Sequence, residues 1–219
     1  MMKAGGFYVP EECPYFPRRI AACDGKLDEE TVQEALKFTK ERRRAVDVGA
    51  HVGTWTRQLA GVFGEVVAFE PYSVVYRYLL ANLNEIGNVI ALPIALGSHM
   101  DRVGVCSRVQ NSGQSFVVPV EDGTGTWAPL MRLDDFALDC VDLIKIDAEG
   151  FEQPVVAGAL ETILACKPVV VIEENECPKR YGREPDAATE LLKSHGAKEV
   201  GRIEFEKGNF NVILAWTEE

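Results

Sequence analysis

The chain has 219 residues, 47% hydrophobic and 26% charged, with a formal net charge of −11 at pH 7. That length suits one α/β domain with a full core, and no apolar run approaches the roughly 18 residues of a membrane span. With no such run no membrane partner is expected, and because the acidic surplus opposes a phosphate backbone nucleic acid is not expected either; a small-molecule or peptide substrate fits better. Met1-Met2-Lys3-Ala4-Gly5-Gly6 has no apolar core behind it, so no export signal is read and a cytoplasmic location is expected. Cys13, Cys23, Cys106, Cys140, Cys166 and Cys177 contain no C-x-x-C pair, which leaves no zinc site and no need for disulfides.

Residues 1–27 read as an arm, with Phe7-Tyr8-Val9-Pro10 and Pro14-Tyr15-Phe16-Pro17 as short extended pieces. Helical spacing of Val32, Ala35 and Leu36 starts a helix near 28 that should reach Arg43, where Lys40, Arg42, Arg43 and Arg44 would complement its dipole. Ala45-Val46-Asp47-Val48 then reads as a buried strand running into Gly49 and Gly53, with a helix opening at Thr54. Glycines let the backbone turn and approach a ligand, and a helix start offers N–H groups to something polar or anionic. A side chain at Gly49 or Gly53 is therefore expected to block binding and leave the sheet folded. The next strand, from Glu65, ends on Glu70, 23 residues after Asp47, about the separation at which such folds place an acid for ribose hydroxyls.

Pro71 suits a first helical turn, and Tyr72 to Ile86 carries apolar residues at helical intervals until Gly87-Asn88. Asn88 to Leu92 is a third strand, with 93–97 as its exit loop. Residues 98–132 are less regular and read as an insertion beside the cleft, with Asn111-Ser112-Gly113 and Glu121-Asp122-Gly123-Thr124-Gly125 as turns. Val141 to Asp147 is a strand closing on acid, Phe151 to Cys166 one returning helix, and Pro168 to Glu173 another strand closing on acid. A helix from Asp186 to Ser194 ends at His195-Gly196, and Lys198–Glu204 with Phe210–Trp216 forms a hairpin. Alternating strands and helices imply an α/β fold whose parallel sheet gathers Gly49, Glu70, Asp147 and Glu173 at its carboxyl edge.

Four stretches in order carry a family resemblance: Val46-Asp47-Val48-Gly49-Ala50-His51-Val52-Gly53, Ala68-Phe69-Glu70-Pro71, Arg132-Leu133-Asp134-Asp135-Phe136, and Asp142-Leu143-Ile144-Lys145-Ile146-Asp147-Ala148-Glu149-Gly150-Phe151-Glu152. Together they resemble class I S-adenosylmethionine-dependent methyltransferases, and within them the FkbM family, over roughly residues 45 to 175. The resemblance implies a three-layer Rossmann-like fold with a mostly parallel seven-stranded sheet and a C-terminal antiparallel hairpin. It implies S-adenosylmethionine as cofactor, with Asp47, Gly49, Ala50, His51 and Gly53 around its methionine part, Glu70 and Pro71 at its ribose, and Ala95 near its adenine. Position 51 is usually asparagine in this family, and an imidazole beside a sulfonium would weaken binding at acid pH. Since Pro93-Ile94-Ala95 has no acid or amide for the adenine amine, that role passes to backbone groups or Asn111.

Asp147 and Glu149 are the candidate catalytic pair. An extended exit from the strand would point both the same way, with Asp147 orienting cofactor or acceptor and Glu149 as general base. Structural readings stand beside these: Asp47 and Glu70 as caps, Asp147 as structural, and Glu149 and Glu152 as acids facing solvent near a helix start. Glu173, Glu174 and Asn175 with Asp147 have the oxygens for a divalent cation, but solvated acids explain them equally and no metal is expected. Trp55, Trp127 and Trp216 read as packing. The expected reaction is O-methylation of a small metabolite, sugar or peptide. The alternatives are a nicotinamide dehydrogenase, disfavoured because Gly49-x-x-x-Gly53 is not G-x-G-x-x-G, and a cofactor-binding protein without turnover. Neither the acceptor nor the oligomeric state is legible.

Overall fold

The computed structural model describes residues 2–11, 15–108, 111–120 and 126–216. The arm holds a small hairpin, β1 (Met2–Ala4) and β2 (Phe7–Val9), and helix α1 (Tyr15–Ala22); helix α2 (Glu29–Phe38) follows it. The central sheet begins with β3 (Arg44–Val48), α3 (Thr54–Ala60), β4 (Glu65–Phe69), α4 (Ser73–Leu83) and β5 (Val89–Leu92). A second sheet follows from β6 (Ala95–Leu96), β7 (Asp101–Arg108), β8 (Asn111–Val118) and β9 (Trp127–Met131). The chain returns to the central sheet through β10 (Val141–Ile146), α5 (Glu152–Ala157), α6 (Leu160–Cys166), β11 (Val169–Glu174), α7 (Ala187–Ser194), β12 (Lys198–Glu206) and β13 (Asn209–Ala215).

The central sheet has seven strands in the order β12-β13-β11-β10-β3-β4-β5, parallel from β11 to β5, with β13 antiparallel to both neighbours. This is the α/β architecture expected, terminal hairpin included. Strand alternation divides its core in two. Val46, Val48, Phe69, Ile144, Ile146 and Ile172 face Val155, Val156, Ile163 and Leu192, while Ala45, Val66, Leu143 and Val171 face Val32, Leu36, Trp55 and Leu59. Asp47 and Lys145 have the parity of the second set, and they are register partners across β3 and β10. Two buried charges thus meet on one face because the sheet's pairing puts them side by side.

Several local expectations are corrected. Tyr15–Ala22 is helical, not extended, since Pro17 falls in the first turn, where a missing N–H is tolerated. Helix α2 stops at Phe38, short of the basic cluster. Arg43 instead pairs with Asp142 (Nε to Oδ2 3.0 Å) and Arg44 with Glu65 (2.5 Å) and Asp139 (2.7 Å), tying together the amino ends of β3, β4 and β10. The helix expected from Phe151 to Cys166 is two, broken at Gly158, where an added Cβ would lie 1.9 Å from the Gly97 carbonyl oxygen. Asp134 starts the second piece by accepting the Thr162 N–H (2.8 Å) and Glu161 N–H (3.2 Å). Part of the exit loop, Ala95–Leu96, pairs in parallel with β9 and opens the second sheet. Asn111-Ser112-Gly113 lies within β8 and not in a turn, while the turn expected at 121–125 falls outside the described residues. Trp127 is 58% exposed beneath the Arg102 guanidinium and is no packing residue.

Candidate active site

A cavity of about 520 Å³ opens at the carboxyl ends of β3, β4, β10 and β11. Of the expected cofactor residues, Gly49, Ala50, His51, Glu70, Pro71, Ala95 and Asp147 line it, as does Glu149. Asp47 and Gly53 do not.

Gly49 turns with φ 73 and His51 with φ 51, a left-handed conformation that asparagine and histidine tolerate better than most residues. The N–H groups of Gly49 and Ala50 both donate to the Phe69 carbonyl (2.9 and 3.0 Å), and that of His51 donates to Glu70 Oε2 (2.9 Å). The first donors of the turn therefore hold β4 rather than face the cavity, while Thr54 and Trp55, at the start of the helix behind the turn, line it. Glu70, 5% exposed, also accepts the Tyr72 N–H at 2.8 Å. Burial raises its carboxyl to about 7 against these hydrogen bonds.

The two glycines meet different neighbours. A Cβ on Gly49 would stand 1.8 Å from the Asp147 carbonyl oxygen, and one on Gly53 would stand 2.8 Å from Leu79 Cδ1. The expectation that a side chain at Gly49 spares the sheet is thus corrected, since Gly49 is where the β3 turn meets the end of β10; at Gly53 the neighbour is the movable end of Leu79 and the constraint is the left-handed backbone, φ 93.

Beneath that turn Asp47, fully buried, accepts the Thr56 hydroxyl at 2.6 Å. Lys145 Nζ lies 3.4 Å from Asp47 Oδ1 and 3.5 Å from Asp147 Oδ2, and donates to the carbonyls of Gly49 (2.8 Å) and Val48 (3.2 Å). Burial works to lower the pKa of Lys145, but the carboxylates of Asp147, Asp47 and Glu173 outweigh it and keep the ammonium charged. The sequence marks Lys145 only as a single cation inside the apolar run Leu143-Ile144-Lys145-Ile146.

The exit of β10 is a turn, not an extended run: Glu149 has φ 52 and Gly150 φ 101. Glu152, 2% exposed rather than solvated, braces this turn by accepting the N–H groups of Ala148 (3.0 Å) and Gly150 (2.9 Å). Burial, then Asp147, raises the Glu149 carboxyl to about 8, and burial raises Glu152 to about 7. Glu173, also on the wall, accepts the Asn175 amide at 2.8 Å and is held well above the usual range by burial and by Asp147. Glu174 points to the other face, where it accepts the Thr189 hydroxyl and pairs with Arg202 at 2.7 Å, so it does not join the acids of the cavity. Among the described residues no group of three or more His, Cys, Asp or Glu is placed to hold a metal ion.

The remaining wall comes from both ends of the chain. Phe16 packs edge-on against His51, with ring centroids 4.3 Å apart. Arg19 bonds Glu206 at 3.4 Å, and Asp28, raised by burial, accepts the Trp55 indole N–H at 3.1 Å. Phe205, Asn209 and Asn211 of the terminal hairpin complete this side. Ile94, Ala95 and Leu96 supply an apolar stretch. The Asn111 side chain, expected near the adenine, is outside the described residues.

A family model described as the methyltransferase FkbM domain matches residues 47–199. Among curated proteins no sequence matches this chain. The fold is similar to that of an FkbM methyltransferase from Methylobacillus flagellatus KT (TM-score 0.55, 15% identity), covering 96% of this chain and 56% of that one. This chain thus spans a little over half the length of that relative. It is also similar to an S-adenosylmethionine-dependent methyltransferase from Aquifex aeolicus (TM-score 0.51, 17% identity, 92% and 94% covered) and to an rRNA methylase from Streptococcus thermophilus (TM-score 0.53, 14% identity, 86% and 95% covered). The last corrects the exclusion of nucleic acid. Net charge describes the whole surface, and a fold shared with an rRNA methylase gives no ground for ruling that partner out. No helix among the described residues is long and apolar enough to cross a membrane. The family match covers well over half of the chain, which belongs to the methyltransferase FkbM family and has the architecture of S-adenosylmethionine-dependent methyltransferases.

Proposed function

We propose that this chain is an S-adenosylmethionine-dependent O-methyltransferase acting on a small metabolite, sugar or peptide hydroxyl, with the arm and the second sheet belonging to the same catalytic domain. One observation carries the reading: a single cavity joins the Gly49–His51 turn, Glu70 and Ala95 to Asp147 and Glu149. The residues fit the donor. The cavity is of ligand size, Ile94, Ala95 and Leu96 suit a planar heterocycle, Glu70 suits vicinal hydroxyls, and the carboxylates complement positive charge. Asp47 acts indirectly, through Thr56 and Lys145. A nicotinamide cofactor has less support, because the N–H groups of Gly49, Ala50 and His51 that would meet a pyrophosphate are already engaged.

Bound S-adenosylmethionine supplies a methyl carbon on positively charged sulfur, open to displacement. Glu149 takes the acceptor hydroxyl's proton as the oxygen attacks, and Asp147, held by Lys145, orients the reacting groups. A base raised to about 8 is matched to neutral or mildly alkaline work. The test is a methyl-transfer screen against hydroxyl and amine metabolites read by mass, with calorimetry of S-adenosylhomocysteine against NAD. Glu149→Gln should keep cofactor affinity and lose ~100- to 10,000-fold in kcat. Tight NAD binding without S-adenosylhomocysteine binding would sink the proposal, and wild-type turnover by Glu149→Gln would remove Glu149 as the base.

A further inference from the structure

The turn that carries Glu149 is clamped from outside by the 3-10 segment Cys177–Tyr181, which follows β11. Gly150 approaches that segment so closely that an added Cβ would stand 2.6 Å from the Cys177 carbonyl carbon. Arg180 donates to the Glu149 backbone carbonyl at 3.1 Å, and its guanidinium is stacked 3.8 Å from the Phe116 ring centre. The Cys177 N–H is fixed by Asn175 Oδ1 at 2.7 Å, and the same asparagine donates to Glu173. In this frame the Cys177 thiol donates to Glu149 Oε2, with sulfur and oxygen 3.4 Å apart, and both side chains line the cavity.

We infer that Cys177 is a positioning residue: its thiol holds the Glu149 carboxylate at the cavity wall in the form that accepts a proton. The inference rests on Glu149 being the base. Around that carboxylate stand Asp147 two residues before it in the chain, Glu152 on α5, Glu173 on β11, and Cys177 and Arg180 on the 3-10 segment. The three acids oppose its ionisation, whereas the thiol and the guanidinium favour it. Burial, then Glu149, pushes the Cys177 thiol up to about 12, so it remains a protonated donor throughout the range in which Glu149 titrates. A weak donor suffices here because the carboxylate is buried and faces like charge.

The experiment follows the side-chain carboxyl carbon of Glu149 by NMR in protein labelled at glutamate, identified as the resonance lost in Glu149→Gln. Cys177→Ala should move the titration midpoint upward, weakening ionisation by about threefold or more, and Cys177→Ser, which keeps a donor, should move it back toward wild type. Once an acceptor is in hand, the acid limb of kcat/KM should move with the same variants. An unmoved midpoint in folded Cys177→Ala overturns the inference. If that variant does not fold, iodoacetamide labelling of Cys177, read by peptide mass, replaces it: Glu149→Gln should speed labelling, and equal rates overturn the inference. Neither the titration nor the labelling needs turnover. A coupling present while Glu149→Gln remains fully active would remove Glu149 as base and leave the contact as structure only. A coupling absent while Glu149→Gln is inactive would remove Cys177 alone.

Discussion

The carboxylate of Glu70 accepts the backbone N–H of His51 at 2.9 Å, so the acid at the end of β4 holds the turn at the end of β3. Its second oxygen takes the Tyr72 N–H. Glu70 thus shapes the cavity before any ligand enters it.

Glu70→Ala should weaken S-adenosylhomocysteine binding by ~10- to 100-fold in calorimetry, because hydrogen bonds to a charged acceptor are worth about 1.5–3 kcal/mol. Glu70→Gln, which keeps one carbonyl oxygen, should fall between. An unchanged dissociation constant in folded Glu70→Ala would reduce this residue to a support for the turn.

Gly49→Ala should unfold the protein or cost more than about 4 kcal/mol, since the new methyl group would meet the rigid Asp147 carbonyl where the carboxyl ends of β3 and β10 meet. Gly196→Ala is the control. It has positive φ but open space around it, so only the backbone penalty of about 1–2 kcal/mol applies. Equal losses in urea unfolding would contradict the packing account of Gly49.

Lys145→Met leaves Asp47 buried beside an apolar chain and should cost ~3–5 kcal/mol, the usual result of breaking a buried pair from one side. Asp47 Oδ1 has no hydrogen-bond partner, so Thr56 alone would remain on that carboxylate. The double variant Asp47→Asn with Lys145→Met should recover part of the loss. Additive losses in urea unfolding would show that the two side chains do not act as a pair.

Stability should peak in mildly acid solution. Glu70 and Glu152, raised to about 7, and Glu149, raised to about 8, bind their protons more tightly folded than unfolded. Their contribution is complete below the ordinary glutamate value and is lost as pH climbs through 7 and 8. Glu199 works the other way. Arg202 first, with Lys193, holds it near 2, so its contribution is present above the ordinary value and is lost as pH falls toward 2. The melting temperature should therefore drop from pH 5 to pH 8.5, and Glu152→Gln should flatten that drop. A melting temperature that rises across this interval would refute the assignment.

The order of strands and helices, the terminal hairpin, and the placing of Gly49, Glu70, Asp147 and Glu149 at one edge are local matters. Apolar periodicity reports which faces are buried, and glycine, proline and acid at strand ends report where the chain turns. The break at Gly158 was not legible, because it depends on the approach of Gly97, far away in the chain. Nor was the pairing of Asp47 with Lys145, which follows from the register of β3 on β10 and from no spacing within either strand. Alternation predicts an extended backbone at Glu149, but a clamp of Glu152, Arg180 and the Cys177 backbone holds it in a left-handed turn. Phe16, Arg19 and Asp28 meet Glu206 and Asn209 at the same cavity, a closure between the two ends of the chain that folding alone decides. Sequence pattern determines what each segment can bury. Only the packed sheet determines which segments become neighbours, and the chemistry of this site lies between neighbours.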